Sequence, residues 1–181
     1  MKKLYFIAWV IAGSEGQAIT AIKEAVCATT GCCHALKSPP HVTVIPPFWM
    51  EPHRISKLRR IVEEWAASYP PFVWSLDGFS HFDDRVVFIA PFADAPLEEM
   101  HRALVQRLQG NPLRLKLRTR KHFHPHVSVA VRIPNTDTYH QCWQLVNRMR
   151  FSCQCPQAEV AILQFNGKKW DIIATAPHRD G

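Results

Sequence analysis

Pro40-His41-Val42-Thr43-Val44 and Pro125-His126-Val127-Ser128-Val129 are nearly one pentapeptide written twice. Each copy sets a histidine and a hydroxyl residue two apart inside an apolar, β-branched run. Side chains two apart on a strand point to the same face. Each copy therefore presents an imidazole beside a hydroxyl. Two such pairs facing one another supply a general acid, a general base and two hydrogen-bond donors. That set suits attack on a phosphoryl group without a metal.

The flanks repeat as well. Leu4–Ile11 reads as a strand, and Ser14-Glu15-Gly16 opens a helix to about Val26 with Ala18, Ile22 and Ala25 at helical spacing. After a polar loop over Thr29–Ser38 comes the strand His41–Phe48, ended by Pro46-Pro47. Glu51-Pro52 opens a helix to about Ser68, with Ile55, Leu58, Ile61, Val62 and Trp65 on one face, and Phe72–Phe79 alternates like a strand. The pattern restarts at Val86–Pro91. Asp94 caps a helix to about Leu108, bearing Leu97, Met100, Leu104 and Leu108 on one face. His126–Val131 is the second motif strand, and a helix follows over Thr136–Met149. Val160–Phe165 and Trp170–Ala174 pair around Asn166-Gly167. Both halves read strand, helix, motif strand, helix, strand. The expected fold is α+β: two pseudo-symmetric lobes whose mostly antiparallel sheets line a central cleft, with helices outside. The chain is expected to be one bilobal domain over 1–181, with repeat units of approximately 1–80 and 85–176.

The bulk numbers agree with one or two lobes. The 181 residues are 47% hydrophobic and 20% charged, enough to fill a core and unlike a disordered chain. A net charge of +7 favours an anionic partner. Met1-Lys2-Lys3 before an apolar run imitates a secretion signal. The run is too short to span a bilayer, its cleavage site is poor, and the repeat needs it as a strand. The six cysteines match no zinc pattern and no two-residue-gap redox motif, so reduced thiols in a cytoplasm are expected.

Two His-x-Thr/Ser motifs in a duplicated chain of this length resemble the 2H phosphoesterase superfamily. Phe123-His124-Pro125-His126-Val127-Ser128-Val129-Ala130 looks like the Phe-x-Pro-His-x-Thr/Ser-hydrophobic-Ala signature of its bacterial 2′–5′ RNA ligase-like branch. Arg85-Val86-Val87-Phe88-Ile89 looks like that branch's mid-chain strand. The resemblance runs from the Leu4 strand to the Ile172 strand. It implies His41 and His126 as the catalytic pair and Thr43 and Ser128 as phosphate-binding hydroxyls. Ser128 stands where Thr would repeat the first motif; it keeps the donor and loses only a methyl group. The implied reactions are opening 2′,3′-cyclic phosphates and making or breaking 2′–5′ linkages, with no cofactor. The implied partners are RNA ends carrying a 2′,3′-cyclic phosphate or cyclic nucleotides, with no membrane and a monomer favoured. Two other readings stand beside this one: an RNA-binding module with little turnover, and a small-metabolite cyclic phosphodiesterase.

Around the motifs, Arg114, Lys116, Arg118 and Arg120 alternate with Leu113, Leu115 and Leu117, the pattern of an amphipathic strand with a basic face. That face is either a solvated edge or a phosphate-tracking surface. Arg118, Arg120 and Lys121 are the candidate substrate-binding cations, with His124 beside them. His122, His124 and His126 also alternate, but Pro125 interrupts the series and no fourth metal ligand lies at suitable spacing. Phe48, Trp49, Phe82, Phe123 and Trp170 are candidates for base stacking, with Phe123 assigned to packing under the motif.

Overall fold

The computed structural model describes residues 1–118 and 122–179. Its elements in chain order are β1 (Lys3–Val10), α1 (Gly13–Thr30), β2 (His41–Met50), α2 (Ile55–Ala66), β3 (Phe72–Phe82), β4 (Val86–Ala93), α3 (Leu97–Gln109), β5 (Val127–Val131), α4 (Thr136–Arg148), β6 (Ser152–Gln157), β7 (Glu159–Phe165) and β8 (Trp170–Pro177). Two four-stranded sheets form, ordered β2-β1-β7-β8 and β5-β4-β3-β6. Every pairing is antiparallel among the described residues. The α+β expectation is met.

The apolar N-terminal run is β1, bonded on one side to β2 and on the other to β7. Its side chains are apolar on both faces because both faces are covered. Tyr5, Ile7 and Trp9 point into the main core, while Phe6 and Ala8 join Ala161 and Leu163 in a smaller cluster on the other face. Trp9 is the hub of the main core. Its ring meets Phe72 at 5.5 Å, Trp74 at 5.6 Å, Trp65 at 6.1 Å and Phe123 at 6.2 Å, and its indole N–H donates to His178 Nε2 at 3.1 Å.

Each sheet takes strands from both halves of the sequence. β3 leaves the first half to pair with β4, and the β7–β8 hairpin returns to pair with β1. The helices cross over too: α1 packs against α4 and β5, whereas α2 packs against α3, β7 and β8. The buried stripe of α1 is Ile19, Ile22, Lys23 and Val26 rather than the expected Ala18 and Ala25. Larger apolar groups won the core side, together with one lysine.

Several local expectations shift for identifiable reasons. β2 continues through Pro46-Pro47 to Met50. It is an edge strand, where a missing N–H leaves no ladder bond unmade. α3 starts after Pro96 with no side-chain cap, so Asp94 is not its cap. In 113–118 the burial alternates as the sequence predicts, with Leu113 and Leu115 buried and Arg114 and Lys116 exposed, yet no strand forms. The backbone there bonds the end of α3 instead, Arg114 N to Gly110 O at 2.7 Å and Leu115 N to Leu108 O at 2.9 Å. The Arg54 guanidinium also holds the Leu113 carbonyl.

Cys27 and Cys33 are joined in a disulfide, against the expectation of reduced thiols. Gly31 ends α1 in the left-handed conformation, φ 76°, and turns the chain back so that the two Cα atoms lie 4.4 Å apart. Cys32, Cys142, Cys153 and Cys155 are free thiols. Among the described residues, no helix is long and apolar enough to cross a membrane.

Candidate active site

β-Sheet pairing places the two motifs. In the first sheet Val10 lies opposite His41 and Ala8 opposite Thr43. Directly opposed residues share a face, so His41 and Thr43 rise from the same side as the Phe6 and Ala8 cluster. In the second sheet Phe88 lies opposite Ser128, and the register shifts between Val87 and Phe88. The first sheet has irregularities beside its motif as well, between Tyr5 and Ala8. Bulges of this kind re-aim side chains and are common beside active sites.

The two histidines are held alike. His41 Nδ1 lies 2.7 Å from the Pro39 carbonyl, and His126 Nδ1 lies 2.8 Å from the His124 carbonyl. A carbonyl only accepts, so each Nδ1 carries its hydrogen, and Nε2 is the lone-pair nitrogen of the neutral ring. In both cases the acceptor is two residues back, across a proline. Pro40 and Pro125 fix their own φ and hold the preceding residue extended. The proline in each Pro-His pair thus helps to select the tautomer.

Aromatic rings back both imidazoles. Phe6 meets His41 at 4.9 Å and is braced edge-on by Trp170 at 4.6 Å. Phe82 and Phe88 meet His126 at 5.0 and 5.5 Å and each other at 4.4 Å. Phe6 and Phe88 each begin a Phe-Ile-Ala tripeptide, a repeat that could have identified them from sequence. The symmetry is inexact: Ala8 opposes Thr43, whereas Phe88 opposes Ser128. Burial pushes the His41 imidazole down to about 4 against the opposing pull of the Pro39 carbonyl, and the Lys23 and His126 charges lower it further. His41 is therefore neutral at pH 7, with the Nε2 lone pair free of a proton.

A cleft of about 430 Å³ opens beside the motifs, lined by Thr43, Val44, Pro46 and Pro47 of β2 and by His101, Arg118, His122, Phe123, His124 and His126. His41 and Ser128 are not wall residues. Each is half-buried and stands two residues from a wall residue, on that residue's face. Of the candidate substrate-binding residues, Arg118 and His124 line the cleft; Arg120 and Lys121 lie outside the described residues. Of the stacking candidates, Phe48 is buried against Tyr5, Trp49 is 63% exposed, and Phe82 and Trp170 are the ring supports above. Phe123 both lines the cleft and packs, lying parallel to His101 at 4.9 Å.

His101 carries no signal in the sequence pattern, because α3 is read from its apolar stripe and His101 follows Met100 at the edge of that stripe. Burial lowers its pKa, partly opposed by Glu98. Glu98 also accepts from Phe123 N at 3.2 Å and approaches His122 Nδ1 at 3.8 Å, tying α3 to the segment ahead of β5.

Two antiparallel sheets, each carrying a histidine–hydroxyl pair on one face, define the 2H phosphoesterase class. The family model described as 2′-5′ RNA ligase superfamily matches residues 14–169, and the chain belongs to that superfamily. The chain is similar in structure to TT0787 of Thermus thermophilus, with a TM-score of 0.66 at 18% identity over 99% of both chains. It is similar also to apo LigT of E. coli, with a TM-score of 0.60 at 14% identity over 99% of both chains. LigT complexed with 3′-AMP gives a TM-score of 0.61 at 12% identity over 98% of both chains. No match was found among curated proteins.

Proposed function

We propose that this protein is a phosphoesterase acting on 2′,3′-cyclic phosphates or 2′–5′ linkages, at RNA ends or on cyclic nucleotides, by paired-histidine acid–base catalysis. The observation that carries this reading is the matched pair of imidazoles, each with Nδ1 bound to a backbone carbonyl. That leaves Nε2 as the proton-transferring atom of each. The whole chain acts as one bilobal unit, because the two motifs come from different halves of the sequence.

His41, neutral at pH 7, is the base. Its Nε2 takes a proton from water as the water oxygen bonds to phosphorus. The bond from phosphorus to one ribose oxygen breaks, and protonated His126 gives that oxygen a proton. Thr43 and Ser128 donate to the non-bridging oxygens, where charge gathers in the transition state. A 5′-hydroxyl in place of water would yield a 2′–5′ linkage by the same steps. The two imidazoles and two hydroxyls cover proton transfer and charge stabilisation, so this route needs no metal.

The cleft volume falls within the range of small-ligand sites, and the similarity to LigT, crystallised with 3′-AMP, supports a nucleotide-sized occupant. Arg118 in the wall, with exposed Arg114 and Lys116 before it, supports a phosphate chain over a small metabolite. A cyclic-ended oligonucleotide should therefore turn over with a higher kcat/KM than a cyclic mononucleotide.

The test is hydrolysis of 2′,3′-cyclic AMP in excess chelator across pH. The profile should be bell-shaped. The His41 pKa is depressed in the folded protein, so its neutral form persists through mildly acidic conditions, and kcat/KM falls only as pH drops through about 4. Circular dichroism at each pH separates loss of base from loss of fold. An acid limb near 6.5, or dependence on an added metal, overturns this reading.

Thr43→Val keeps the side-chain shape and removes the hydroxyl. It should cost on the order of 10² in kcat, the scale of one oxyanion donor, with little change in KM. An unchanged kcat would remove Thr43 from the mechanism.

A further inference from the structure

Lys23 is the one charged side chain of α1 that joins the helix's buried stripe, and it is 2% exposed. An ammonium is costly to bury unless its donors are satisfied. Its Nζ donates to the Ala35 carbonyl at 3.2 Å and to the Ser38 carbonyl at 3.2 Å. These two carbonyls bracket the segment that leads directly into the first motif. The next residue, Pro39, supplies the carbonyl that accepts from His41 Nδ1. Pro40 is tied in turn by Ile11 N to its carbonyl at 2.9 Å.

We propose that Lys23 is a positioning residue for His41: its buried ammonium fixes the 35–38 segment so that the Pro39 carbonyl meets His41 Nδ1. The role rests on the assignment of His41 under Proposed function. Lys23 is not among the described residues that line the cleft; it acts through the backbone. Its charge also reaches His41, and burial lowers its own pKa to about 8. The other titratable groups around this corner are Lys37 and Lys169, which share a shallow cavity with Lys23, and His126 across the site.

The second half solves the same problem with the opposite charge. There Glu98 of α3 accepts from Phe123 N, within the segment ahead of His126. In each half, a side chain from the helix between the paired strands clamps the backbone entering the motif. The first clamp is buried and grips carbonyls; the second is exposed and grips an N–H. The first needs several donors on one atom, which an ammonium supplies.

Lys23→Met keeps an unbranched chain of similar length and removes every donor. In the folded variant, kcat for 2′,3′-cyclic AMP should fall about 10²-fold, the scale of a small misplacement at a reacting group, with KM little changed. The acid limb of the pH profile should move up, because the cation that repels a proton on His41 is gone. Imidazole ¹⁵N NMR of both proteins reads the tautomer directly. His41 should show protonated Nδ1 in the wild type and a mixture in the variant. In the wild type, the His41 signals should also show a second inflection near pH 8, where Lys23 loses its proton.

A folded Lys23→Met protein with unchanged kcat, acid limb and His41 tautomer overturns the proposal. So does a wild-type His41 that carries its proton on Nε2 rather than Nδ1, a result that stands even if the variant does not fold. The NMR readouts need no turnover. A wild type inactive on every cyclic phosphate would therefore defeat the assignment of His41 while leaving the Lys23 clamp to be judged on the tautomer alone.

Discussion

Alanine at His41 or at His126 is expected to lower kcat/KM for a 2′,3′-cyclic phosphate by ~10²–10⁴-fold, the typical worth of one positioned proton transfer. The double variant should be little worse than the poorer single variant, since groups that act as a unit are not additive. Both rings are half-buried, backed by Phe6 in one case and by Phe82 and Phe88 in the other. Removing either leaves the main core untouched, so the folded structure should survive, as circular dichroism would verify. Turnover in excess chelator is the measurement. Full activity in either single variant would sink the two-histidine mechanism. Unaltered RNA binding by both variants, with no ester hydrolysed by the wild type, would instead indicate a binding module.

Trp9→Ala should be the costliest single change to stability, at about 3–5 kcal/mol. Trp9 is wholly buried on β1 and touches four other rings drawn from α2, β3 and the segment ahead of β5. Truncation opens a cavity that these rings, themselves braced against one another, cannot close. It also removes the indole N–H from His178 Nε2, leaving a buried nitrogen unsatisfied. Urea denaturation should show a lower midpoint at an unchanged slope. Because Phe123 loses one of its two ring partners, keeping only His101, the cleft wall should loosen and KM should rise. A loss under 1 kcal/mol would mean that the aromatic hub is not a unit of stability.

Much of the fold is written in local pattern. The β-branched motifs read as strands, the stripes of α2 and α3 read as helices, and Asn166-Gly167 reads as the turn before β8. Each signal depends on neighbours within one element, where period and turn chemistry act directly. β6 is not legible in the sequence, because Cys153 and Pro156 break the appearance of a strand. It exists because β3 offers it a partner, from Phe72 opposite Gln157 to Asp77 opposite Ser152. The converse holds at 113–118, where a strand-like alternation finds no partner and its backbone bonds fall to α3. A ladder needs two chains, and one chain's pattern cannot report the other's position.

The candidate site divides in the same way. The sequence by itself determined the candidate site residues, His41, Thr43, His126 and Ser128, and their placement by twos on common faces, because strand alternation is a property of the covalent backbone. It also showed the near-copy of the motif pentapeptide, Pro40–Val44 and Pro125–Val129. Only the tertiary structure decided that β3 and the β7–β8 hairpin change halves, that Cys27 meets Cys33, that His101 lines the cleft, and that a lysine in α1 grips the backbone before His41. These depend on which distant surfaces meet, and that is settled by burying apolar area and satisfying buried polar groups across the whole molecule.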